Sequence, residues 1–177
     1  MSAEPVQKYI QTAIAAGRLL TIMAARTSEA LGAFSSWLIG SVAAVLGLLL
    51  ANIDAVSKFV PTEALRNAIA FYLIAVVCHV FQRYLAAIVA GSIAAAREAE
   101  SLPSDHPLDL EELIAEIQRS TFWPARVVAS KVHARIKAGD YAASGRVMAE
   151  LAQVQGMLVM LQMALVVWSA WVIARTL

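Results

Sequence analysis

Apolar and polar positions divide the chain into long runs. Residues 33–52 read AFSSWLIGSVAAVLGLLLAN and residues 156–174 read GMLVMLQMALVVWSAWVIA, both without a charge. At about 1.5 Å of rise per residue, a helix over either run is roughly 28–30 Å long, the thickness of a bilayer's hydrocarbon core. The second run holds eight Leu, Val and Ile residues. Each contributes about −0.3 to −0.6 kcal/mol to insertion, which outweighs the strongly polar Gln162. A third run, residues 67–83, is apolar to Cys78 and then meets His79, Gln82 and Arg83. A cation at the bilayer centre costs about 2.5–3.5 kcal/mol. The favourable arrangement sets Arg83 at a boundary, its head reaching for the headgroups. These runs are expected as three transmembrane helices, 33–52, 67–83 and 156–174.

The flanking sequence is helical in pattern. Pro5 suits a helix start, and Val6, Ile10, Ala13, Gly17, Leu20, Ala24, Thr27 and Leu31 recur at spacings of three and four. This predicts an amphipathic N-terminal helix over residues 1–32, packing its seam on neighbouring helices. No strong breaker separates it from the 33–52 run, so the two are able to form one helix. Residues 53–66 read as an outer loop, with Thr62 after Pro61 expected as the next N-cap. The following helix is expected to run from about 63 to 100 and to stop at SLPSDHP. Leu110, Leu113, Ile114 and Ile117 predict a short amphipathic helix over 108–120, with an acidic first half. Residues 124–138 predict a basic helix closed by Gly139, and Asp140 an N-cap for a final helix from Tyr141 onward.

Charge sets an orientation. Segments 1–32 and 84–155 together hold ten Lys and Arg, against three in 53–66 and 175–177. The positive-inside rule then places the N-terminus and residues 84–155 in the cytoplasm and the C-terminus outside an inner (plasma) membrane. Trp37 is expected near the inner boundary and Trp168 and Trp171 near the outer one, as interfacial anchors. Two small-residue rows, Ser36–Gly40–Ala44 and Ala43–Gly47–Ala51, predict close helix packing. Packing within the subunit is the first expectation, and a contact between subunits the alternative. The fold class is all-α: a polytopic membrane protein with three transmembrane helices, the long ones extending into a helical cytoplasmic region.

Composition agrees: 60% of residues are hydrophobic and 15% charged, against about 45–50% and 25% in soluble domains. A net charge of +1 gives no reason to expect nucleic acid as a partner. One cysteine, Cys78, excludes an internal disulfide. Lys8 and Arg18 interrupt the first apolar run, so the N-terminus does not read as a cleaved leader.

Candidate chemistry is sparse. His79, Gln82 and Arg83 form the densest polar cluster in the apolar runs, read as an interface anchor or pore lining. His106 and His133 lie outside those runs, so no cofactor and no metal is expected. Glu111, Glu112 and Glu116 read as a solvated helix start, and Ser101, Ser104, Asp105 and His106 as a loop rather than a triad. Arg126 and His133, spaced R-x6-H, resemble the Arg-x(4–6)-His signature of the HEPN ribonucleases, although Val127 stands where a polar residue is usual. That resemblance implies an acid/base role for His133 and phosphate stabilisation by Arg126. Small size and three apolar helices with small-residue faces are loosely similar to phage holins, apart from the large polar region. The leading expectation is a non-enzymatic, homo-oligomeric scaffold or pore-type subunit. Its expected partners are the lipid bilayer and either copies of itself or other membrane subunits. The alternatives are an accessory subunit of a larger membrane complex and a membrane-tethered HEPN-like ribonuclease.

Overall fold

A computed structural model describes residues 3–101, 119, 123 and 125–176. The helix expected over 108–120 lies outside the described residues, apart from Arg119. All five described elements are helices: α1 (Ala3–Ala51), α2 (Ile53–Val56), α3 (Thr62–Ser101), α4 (Ala125–Lys137) and α5 (Ala143–Ala174). α1, α3 and α5 are each long and apolar enough to cross a membrane, with best-window mean hydropathies of 2.0, 1.9 and 2.1.

The expected N-terminal helix and the 33–52 run are one helix of 49 residues. At the start of α3 the carbonyl of Pro61 accepts from the amides of Ala64 and Leu65. Pro61 therefore holds the cap position, and Thr62, expected there, is the first helical residue. Gly139 closes α4 as anticipated. Its φ is +87°, the left-handed region that favours glycine. The amide of Gly139 donates to Ile136 and that of Asp140 to Arg135, at 2.9 and 3.0 Å, the paired bonds of a Schellman ending. Asp140, expected to cap a helix from Tyr141, instead forms a turn, its side chain accepting from the amide of Ala142 at 3.1 Å and its carbonyl from that of Ala143, and α5 starts at Ala143.

The chain divides into two units. The first draws its described residues from Met1–Thr27 and Ala87–Ala152. Its core is Ala24, Val89, Val147, Met148 and Ala152, with Ile93, Val128, Val132 and Leu151 packed against it. Gly17 and Gly145 bring α1 and α5 into backbone contact: a Cβ at Gly145 would collide with the Gly17 carbonyl. Glu150 on α5 takes Lys131 at 2.5 Å and Arg135 at 2.9 Å from α4.

The second unit comprises Ser28–Ala86 and Gln153–Leu177, and it contains all three membrane-length runs. Here α1, α3 and α5 form a three-helix bundle, bonded pairwise through Ser35, His79 and Gln162, Tyr72 to the carbonyl of Ile39, and Ser169 to the carbonyl of Ala68. Fully or nearly fully buried residues recur every seventh position: Ala68, Ala75 and Gln82 on α3, and Gln155, Gln162 and Ser169 on α5. That repeat is the seam of helices winding side by side. The outside of this unit is apolar. Trp37, Leu48, Val80, Phe81, Met157, Met160 and Val167 are each at least 60% exposed. Oil-like surface with amides inside inverts the arrangement of a water-soluble bundle.

Candidate functional site

The polar seam of the second unit is the densest chemistry in the described residues. Ser35, Gln82, Gln155 and Gln162 are wholly buried, and Ser28 and Ser169 nearly so. The helical period explains this convergence: Ser28 and Ser35 are one heptad apart on α1, as are Gln155 and Gln162 on α5. Both pairs therefore share one face of their helix.

Ser35 is the junction. Its hydroxyl donates to Gln162 Oε1 at 2.6 Å, and the same oxygen lies 2.7 Å from His79 Nδ1. With the hydroxyl proton committed to Gln162, the second bond requires Nδ1–H of His79 to donate to Ser35. One turn beyond His79, Gln82 and Arg83 lie against Gly32. The ideal Cβ position of Gly32 is 2.9 Å from Arg83 Nη1 and 3.8 Å from Gln82 Nε2. Glycine at 32 leaves space for the tip of the Arg83 side chain beside α1. Several amide atoms have no hydrogen-bond partner in the chain: Nε2 and Oε1 of Gln82, Nε2 and Oε1 of Gln155, and Nε2 of Gln162.

The sequence singled out His79, Gln82 and Arg83, and the structure puts them in one unit with different surroundings. Gln82 is buried, His79 half-buried and Arg83 exposed. Ser35 and Gln155 were missed. The legible signal was the seven-residue spacing of Gln155, Gln162 and Ser169 in an otherwise apolar helix.

The small-residue rows differ from the first expectation. Ser36, Gly40, Ala44, Ala43, Gly47 and Ala51 are all exposed, and a Cβ at Gly40 or Gly47 would meet nothing within 4 Å. Packing within the subunit uses the other side of α1, where Ser28, Gly32, Ser35, Ile39 and Leu46 are buried. The tryptophans differ too. Trp37, Trp168 and Trp171 are all exposed on the outside of the unit. Yet α1 and α5 run parallel with Ser35 level with Gln162. Trp37 and Trp171 are thus about 10 Å apart along the axis, too close to mark both edges of a core about 30 Å thick.

In the first unit, Arg126 and His133 both lie on α4, two turns apart. Arg126 is exposed and His133 half-buried. The His133 ring lines a cavity of about 480 Å³ with Val128, Val132, Ile136, Ala95 and Met148, and its Nδ1 is buried without a partner. That lining is apolar and offers little to a phosphate. The carboxyl of Glu150, which precedes the 156–174 run, is held below its ordinary value by hydrogen bonds from Lys131 and then Arg135. Among the described residues, no three His, Cys, Asp or Glu side chains are grouped to hold a metal ion. No family model, curated protein or solved structure matches the chain.

Proposed function

We propose that this chain is a non-enzymatic, membrane-embedded scaffold subunit that associates with copies of itself through the outer face of α1. The supporting observation is the uncovered row of Gly40, Ala43, Ala44 and Gly47 on a helix of membrane length. In lipid, small residues let two backbones approach closely, and packing then replaces the hydrophobic drive available in water. The three long helices cross the inner membrane, with the N-terminus and residues 84–155 on the cytoplasmic side, following the bias of Lys and Arg. A scaffold fits better than a pore because Gln82 and Gln162 are turned into the packed centre of one chain. An accessory subunit is the second reading, favoured by the apolar cavity of the first unit.

The test is the protein mass of the detergent-solubilised particle, by light scattering or native mass spectrometry. A homo-oligomer is expected, and Gly40→Leu with Gly47→Leu is expected to lower its order. A monomeric wild-type particle would overturn the scaffold reading. Co-purification at fixed stoichiometry with other subunits would favour the accessory reading.

A further inference from the structure

We propose that the seam between Ser35 and Gln155 is an internal water-binding site, in which bound water joins the glutamines of α3 and α5. Gln82, Gln155 and Gln162 are wholly buried, and five of their six amide atoms have no partner in the chain. A buried amide without a hydrogen bond costs roughly 1–3 kcal/mol by mutational measures, so three of them together are too costly to remain unpaired.

Donor and acceptor balance decides the kind of guest. The unpaired atoms are three NH2 donors and two carbonyl acceptors. A cation would satisfy the oxygens and leave the NH2 groups unmet; an anion would do the reverse. Water both donates and accepts, and a buried water typically makes about three hydrogen bonds. Small residues border the seam: Gly32 lies beside Gln82 and Arg83, and a Cβ at Gly156, beside Gln155, would meet only Leu31 within 4 Å. Register brings the groups together. α1 and α5 are parallel with Ser35 level with Gln162, so Gln155 lies one heptad back, level with Ser28. α3 runs the other way with His79 at Ser35, so Gln82 falls between those two levels. The bound water thus continues the bonded chain His79–Ser35–Gln162 across the bundle.

The direct test is water-edited solid-state NMR on protein carrying ¹⁵N-glutamine, reconstituted in bilayers. Single Gln→Leu variants assign the side-chain amides, and exposed Gln153 serves as the internal standard. The amides of Gln82 and Gln155 are expected to gain water magnetisation within a few-fold of the Gln153 rate. Amides that stay dark while Gln153 builds up would overturn the proposal. Thermal unfolding in detergent gives a second readout. Gln82→Leu and Gln155→Leu each strand the water's remaining partners, so each is expected to lower the midpoint. The double variant is expected to fall by less than the sum of the two. If each single variant raises the midpoint, the seam is dry.

Discussion

At the residue scale, backbone contact and side-chain contact have different consequences. At Gly145 an added methyl meets the Gly17 carbonyl, and neither backbone is able to yield without moving a helix. Overpacking costs about 1–3 kcal/mol and more where backbone must shift. Gly145→Ala is therefore expected to destabilise by about 3 kcal/mol or more. At Gly32 the neighbour is the tip of Arg83, a flexible end that is able to swing away, so Gly32→Ala is expected to cost under about 1 kcal/mol. Thermal unfolding of both variants in one detergent checks the ranking, and equal midpoints would contradict it. Individual side chains were only partly legible in the sequence. His79, Gln82 and Arg83 stand out because they are polar among apolar neighbours. Ser35 does not, since serine is common in apolar helices, and its role depends on two helices distant in sequence.

At the scale of elements, length and punctuation were legible. The Schellman ending at Gly139 follows from local backbone chemistry, which sequence encodes directly. Which side of α1 faces inward was harder to read. A small residue packs equally well against its own bundle or another chain, so Gly40 and Gly47 gave no direction. The buried side is instead set by Ser28, Ser35 and Ile39. The α4–α5 contact carries a pH signature. The Glu150 carboxyl, ordinarily near 4.5, is lowered by Lys131 and Arg135. A depressed folded value gives stability that is complete above the unfolded value and lost as pH falls through the folded one. Protection of α4 amides from hydrogen exchange is thus expected to weaken below about pH 4.5, the ordinary value for this group. Glu150→Gln should reduce protection at neutral pH and flatten this acid dependence. An unchanged acid profile in the variant would show that other groups carry it.

At the scale of the molecule, the arrangement of polarity is the central observation. In water, burying Gln82, Gln155 and Gln162 while exposing Trp37, Leu48, Phe81 and Met157 would be unfavourable on both counts. In lipid the apolar outside is solvated, and polar groups do best turned inward. Three helices long and apolar enough to cross a membrane were legible in the composition and the three apolar runs. The inward turn of the amides was not, because it needs the register of three helices at once. Tryptophan fluorescence in liposomes whose acyl chains carry bromine tests the environment most directly. Trp37, Trp168 and Trp171, each kept in turn as the sole tryptophan, should be strongly quenched relative to unbrominated lipid. Emission unaffected by bromine at all three positions would contradict a bundle solvated by hydrocarbon.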